Sequence, residues 1–342
     1  MKVKLLPLAI GAAIAMPGVA MAEANWYGKL NVQVEMYDFD EGDSATSYDQ
    51  WNLNSVDSRL GVKGSEDISD SLKAIYQAEF GIDVDDGSDG DVFSQRNIFV
   101  GLEGGFGKVI AGRFDTPLKS AQGKADQFGD VHLGDIKYVL NGENRSDNLI
   151  QYSSPKIADA IVATLAIQPG EHACDESAPD YCNDGLADNF SASVAYSGGP
   201  IYAALAYDSG MAKDHPDTTE AAAPWDITRL VVTGDMDAFE AGFIYQTGEQ
   251  SEPDQADEQD GFVLSGAFKA DAHKFKLQYG MSTLTDGPTD AEVDTTLIAL
   301  GYENKMSKQT SMYVHYIMLE EEPEVGDSEE ATSFQLGMVH KF

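Results

Sequence analysis

Hydrophobic side chains recur at every second position in segment after segment of this chain. In Thr332–Phe342, the residues Phe334, Leu336, Met338 and Phe342 alternate with Ser333, Gln335, Gly337, Val339 and Lys341, and His340 is the polar exception on the greasy parity. A period of two places the two sets on opposite faces of a β-strand. His273–Ser282 repeats the pattern, with Phe275, Leu277, Tyr279 and Met281 against Lys274, Lys276 and Gln278. Ser71–Asp83 sets Leu72, Ala74, Tyr76, Ala78, Phe80 and Ile82 against Lys73, Gln77 and Glu79, and Trp26–Met36 carries Lys29, Asn31, Gln33 and Glu35 on its polar face. The whole chain divides into sixteen such strands. Short turns rich in Gly, Pro, Asn and Asp fall at Gly64–Asp70, Glu103–Gly107, Ser153–Asp159, Ser197–Pro200, Gly234–Asp237, Lys269–Ala272 and Glu303–Lys308. Between them lie longer, mostly acidic segments at 39–49, 84–92, 115–146, 169–187, 209–224, 248–259, 285–291 and 320–330. Seven turns and eight loops put both chain ends on the turn side.

A soluble β-sandwich also alternates, but it has no need of such regular short and long connections. The first residues bear on the choice. Lys2 and Lys4 precede an apolar stretch from Leu5 to Val19 and the small-residue site Ala20-Met21-Ala22. This reads as a secretory signal over residues 1–22, leaving 23–342 as one domain. Pro7, Gly11 and Pro17 interrupt a run already short for a helical span. A membrane role would fall to strands, which cross with about 9–11 residues each. The expected fold is all-β: a transmembrane antiparallel barrel with lipid outside and water within. An exported soluble sandwich or adhesin is the competing reading, and it predicts extraction without detergent.

Composition narrows the chemistry. The formal charge is −36, with seven acids in Glu320–Glu330 and six in Glu249–Asp260 and no Lys or Arg in either. Such an excess repels phosphate backbones, so nucleic acid is excluded as a partner. The acidic runs read as solvated extracellular loops, with weak Ca²⁺ binding a possibility their crowded carboxylates raise and no other cofactor expected. Asp83–Asp91 lacks the spacing and closing Glu of an EF-hand. Cys174 and Cys182 lie eight positions apart in one acidic stretch; in an oxidising compartment they read as a disulfide, and no second pair supports a metal site. No nucleophile elbow or other catalytic constellation is present. Trp26, Tyr37, Tyr152, Tyr202, Tyr207, Tyr245, Tyr302, Tyr316 and Phe342 fall near expected strand ends, as interfacial girdles do, although β-propensity alone also favours Tyr and Phe.

Several motifs together resemble the general trimeric porins of Gram-negative outer membranes. They are Tyr27-Gly28-Lys29, then Ser58-Arg59-Leu60-Gly61-Val62-Lys63-Gly64, then Gln95–Leu102 with Gly107–Arg113, and the closing Phe342. The resemblance implies a sixteen-stranded barrel, a homotrimer in lipid and lipopolysaccharide, that passes small hydrophilic solutes by diffusion. It also implies that Phe342 is the aromatic read by the barrel-assembly machinery. The family folds its third loop inward, which here is Asp115–Arg145, carrying Asp126, Asp130, Asp135 and Glu143, with Phe128 and Leu133 available to pack it against the wall. Lys29 and Arg59 share the polar parity of their strands, with Val56, Leu60 and Val62 on the other face, and Arg145 shares parity with Asp147 and Gln151, opposite Ile150 and Tyr152. Arg96 has the parity of Ile98, Val100 and Leu102, so its place in the pore rests on the resemblance alone. Arg113 is expected at the subunit contact. Opposed charges across such a neck orient polar solutes and select ions, and the acidic mouth favours cations. Each arginine could instead serve a salt bridge that holds the loop or strands. A substrate-specific channel, for an oligosaccharide or another nutrient, would add an aromatic ladder. A barrel hydrolase would have fewer strands.

Overall fold

Alternation governs the architecture. The computed structural model describes residues 24–42, 47–85, 92–170, 185–212, 224–251 and 256–342. Residues 1–22, Cys174 and Cys182 lie outside them. The strand segments are β1 (Asn25–Asp40), β2 (Tyr48–Ser55), β3 (Arg59–Ser69), β4 (Leu72–Ile82), β5 (Phe93–Gly104), β6 (Gly107–Asp115), β7 (Arg145–Ser153), β8 (Ile161–Gln168) and β9 (Asn189–Gly198). They continue with β10 (Ile201–Ala212), β11 (Pro224–Met236), β12 (Phe239–Gln250), β13 (Glu258–Ala270), β14 (His273–Thr285), β15 (Glu292–Lys305), β16 (Thr310–Pro323) and β17 (Glu329–Lys341). Apart from β2 with β3, each pairs antiparallel with its neighbour in sequence, and β17 returns to β1 from Lys29↔Lys341 to Asp40↔Glu330. The β1–β17 pairing closes the sheet on itself, as a barrel in hydrocarbon requires. Segments β2 and β3 both pair with β1 and are two halves of one barrel strand, so seventeen segments make sixteen strands.

The outward set is apolar and uncovered. Val100, Leu205, Leu277, Phe275, Phe334 and Leu336 all stand 47–63% exposed. A water-soluble protein rarely presents such a belt. On the opposite parity of β1 and β17, Gln33, Glu35, Ser333 and Gln335 are buried.

Two glycines explain the seam. A side chain at Gly28 would occupy the space of the Phe342 ring, and one at Gly61 that of the Tyr27 ring. Phe342 also closes the barrel through its backbone, accepting from Gly28 N at 2.9 Å and donating to Gly28 O at 3.1 Å. Tyr27-Gly28 and Gly61 are therefore packing requirements between first, second and last strands.

Two of the parity slips place residues of one charge cluster. The outward residues of β2 are Trp51 and Leu53, whereas Leu60 and Val62 pair across from the outward side in β3, so one extra residue lies between. Asp57, at φ 50°, absorbs it. Val56 is consequently buried against the lumen and not on the outer face with Leu60 and Val62. In β5 the register against β4 shifts between Ala78 and Phe80. That bulge turns both Arg96 and Asn97 inward although Ile98, Val100 and Leu102 face out.

The aromatic girdle needs two corrections. Tyr37 lies on the inward parity of β1 and lines a lumenal cavity. Tyr202 also points in, and its hydroxyl donates to Ala121 O at 2.9 Å. Trp26, Tyr152, Tyr245 and Tyr316 are exposed on the outside.

Candidate pore constriction

The connection between β6 and β7 packs against the face of the sheet opposite the apolar belt. It opens with α1 (Pro117–Ala121), where Thr116 Oγ1 caps Lys119 N at 3.2 Å and proline occupies the first turn. Leu118, Phe128, Leu133, Ile136 and Leu140 are buried in one cluster with Ile227, Ile244, Val263, Leu297 and Ile317 of the wall. Burying each large side chain of this kind stabilises by about 1.5–3 kcal/mol.

Lumenal amides fasten the connection's backbone. Gln278 accepts from Gln127 N and donates to Gly134 O, both at 2.9 Å. Gln259 accepts from Asn141 N at 2.9 Å, and Gln335 donates to His132 O at 3.0 Å. Arg229, fully buried in an otherwise apolar stripe of β11, donates to Glu143 at 2.6 Å, to Gln246 at 2.7 Å and to Asn141 O at 2.9 Å. Burial raises the Glu143 carboxyl above its ordinary range against the opposing pull of Arg229. Lys276 donates to Gln127 O and lies 4.3 Å from the Phe128 ring centroid.

A compact charge cluster faces the connection from β1–β5. Asp57, its side chain 3% exposed, takes Lys29 at 2.5 Å, Arg59 at 2.6 Å and Arg96 at 2.6 Å. Arg96 also reaches Glu79 at 3.0 Å, and Tyr27 donates to the same carboxylate at 2.9 Å. Asp130, at φ 65° on the connection, faces this cluster. Withdrawal from bulk water, and then the neighbouring Asp57 carboxylate, push Asp130 up to about 6. Lys29, Arg59, Arg96 and Asp130 are thus brought together, with Asp57 as the hub.

The other expected site residues lie elsewhere. Asp135 accepts from Asp130 N at 2.7 Å and Lys137 N at 2.8 Å, capping the short 3₁₀ turn Ile136–Tyr138. Asp126 accepts from Phe128 N at 2.9 Å and, at 3.4 Å, Ile136 N; burial and then Asp135 raise it well above the usual carboxylate range. Both serve the connection's own backbone. Arg145 pairs with Asp115 at 3.0 Å and donates to Asn97 at 3.0 Å, clamping the base of the connection. Arg113 pairs with Asp147 at 2.8 Å on the outward parity of β6, so Asp147 does not share the face of Arg145; the β6–β7 register shift between Gly112 and Phe114 separates them.

Above the cluster opens a cavity of about 680 Å³. Glu35, Asp57, Asp83, Asp85 and Asp130 line it, against Lys137 and His132. His132 Nδ1 meets Glu35 at 2.6 Å. Among the described residues, no group of three or more His, Cys, Asp or Glu could hold a metal ion.

The family described as Gram-negative porin matches residues 9–323. The chain is 26% identical over 364 residues, spanning both proteins completely, to the major outer membrane protein P.IB of Neisseria meningitidis. It is similar in fold to an anion-selective porin from Comamonas acidovorans, with TM-score 0.71, 21% identity, and coverage of 94% of this chain and 100% of that one. The outer membrane channel DcaP of Acinetobacter baumannii gives TM-score 0.70 at 13% identity, covering 96% and 99%. With its closed sixteen-stranded barrel and apolar belt, the chain belongs to the Gram-negative porin family, the channel-forming barrels of the outer membrane.

Proposed function

We propose that this porin is a water-filled diffusion channel for small hydrophilic solutes and ions, that it prefers cations, and that it works as a homotrimer. The observation carrying the cation preference is the charge balance of the lumen. Lys29, Arg59 and Arg96 meet three carboxylates, Asp57, Glu79 and the facing Asp130, so the basic wall is offset one for one. The cavity above adds Asp83 and Asp85, which form no ion pair with a described residue. A mouth of one sign enriches counter-ions. The Comamonas porin is called anion-selective; the opposite sign is inferred here because carboxylates outnumber cations along this cavity.

For assembly, the support is a related fold and a surface. A structure of the Vibrio cholerae protein OmpT, similar at TM-score 0.64 and 18% identity over 94% of this chain, is described as a trimer form. The outward Arg113–Asp147 pair would be costly against acyl chains and is accommodated if a second subunit covers it.

Liposome swelling tests the diffusion reading. Uptake of neutral sugars is expected to fall smoothly with solute mass and to show no saturation. Absence of swelling with well-folded protein overturns it.

A further inference from the structure

One wall of the cavity above the constriction is built from aromatic rings. Tyr37 and Phe39 of β1 stack with centroids 6.5 Å apart and planes 10° apart. Tyr48 of β2 tilts onto both, at 5.9 and 5.6 Å. From the connection, His132 approaches Tyr37 at 5.5 Å and Tyr138 lies 6.1 Å beyond it. Tyr37, Tyr48 and Tyr138 line the same 680 Å³ space as Asp57, Asp83, Asp85 and Asp130. Tyr37, Phe39 and Tyr138 also pack against the connection's buried cluster; Tyr48 lies outside that cluster and is 49% exposed.

The combination restricts what could dwell there. The faces of aromatic rings are electronegative and attract cations within about 6 Å of the centroid. An inorganic cation gains from the carboxylates but has no apolar surface to lay on the rings. A neutral sugar could stack on the rings and bond Gln50, Asn52, Asn54 and the carboxylates, yet it brings no positive charge to offset the excess of acids. A solute with an ammonium charge on an apolar body uses both walls.

We propose that this vestibule is a binding site for organic ammonium cations, which pause against Tyr37, Tyr48 and Tyr138 on their way to the constriction. The proposal rests on the channel reading above and adds a solute class to it. The test is block of potassium current through the full-length porin in planar bilayers, with tetraethylammonium as probe and maltose as neutral comparison. Tetraethylammonium is expected to reduce the current in a saturable manner. Tyr48→Ala should raise its half-blocking concentration about two- to fivefold, the worth of one exposed cation–ring contact. Tyr48→Phe, which keeps the ring, should stay near the parent value. Block equal in the parent and Tyr48→Ala overturns the aromatic site, as does maltose block that Tyr48→Ala relieves to the same degree. Potassium current without any tetraethylammonium block rejects this site and leaves the channel intact, whereas no potassium current at all rejects both.

Discussion

Replacing Asp57 by Asn should move the pore toward anions. Asn is nearly isosteric, and its carbonyl oxygen can still accept from Lys29, Arg59 or Arg96, so the change is chiefly one of charge. A sphere of the observed cavity volume, 680 Å³, has a radius of about 5.5 Å, so a permeating ion passes about 6 Å from the Asp57 carboxylate, where a unit charge in water is worth about 0.7 kcal/mol. Screening at 0.1 M salt reduces this to about 0.4 kcal/mol. Deleting the charge penalises the cation and favours the anion, so the permeability ratio changes by about 0.8 kcal/mol, or about fourfold. Low-dielectric walls would enlarge the effect. The assay is the zero-current potential across a potassium chloride gradient, with retention of the β-sheet signal as the folding check. A ratio unchanged within about twofold, or one shifted toward cations, refutes the argument that Asp57 offsets the basic wall.

Three other perturbations probe the same cluster and its support. Arg59→Ala should raise conductance or cation preference, since it removes a cation beside Asp57; no change in either assigns Arg59 a purely structural role. Arg229→Met leaves the buried Glu143 without its partner, a loss of about 3–5 kcal/mol for a broken buried pair. Hydrogen exchange over 139–144 should accelerate while β13–β16 stay protected, and unchanged exchange would contradict the anchoring role. Asp130, raised to about 6, is about nine-tenths ionised at pH 7 and about one-tenth at pH 5. As pH falls through this window the pore loses a negative charge, so cation preference should decline, and Asp130→Asn should flatten that pH dependence. A pH response of equal size in Asp130→Asn assigns it to another group.

Much of the barrel is legible because lipid and water face each other across one strand thickness. That constraint writes itself as alternation in β14 and β17, and turn residues mark where it stops. It fades where the wall is apolar on both sides. In β11, Leu230 and Val232 face out while Ile227 and Val231 pack against the connection, so apolar residues stand on both parities and do not reveal which face Arg229 takes. The bulges were readable in principle. The outward parity changes between Leu53 and Leu60 and between Phe93 and Ile98, and each change demands an extra residue. Following the first leads to Asp57, and following the second turns Arg96 inward without appeal to resemblance. Tyr37 shows the limit of composition: its parity with Gln33 and Glu35 assigns it to the lumen, while its place near a strand end suggests the interface. Asp126 and Asp135 look like pore charges in sequence because nothing local reveals which backbone N–H groups they cap.

The sign of the zero-current potential of the unaltered porin bears most directly on this account. Purified in detergent and reconstituted into a neutral bilayer under a tenfold potassium chloride gradient, it should give stepwise currents that reverse on the potassium side of zero. Reversal on the chloride side would contradict the charge balance assigned to the lumen, and a folded protein that conducts nothing would contradict the channel itself.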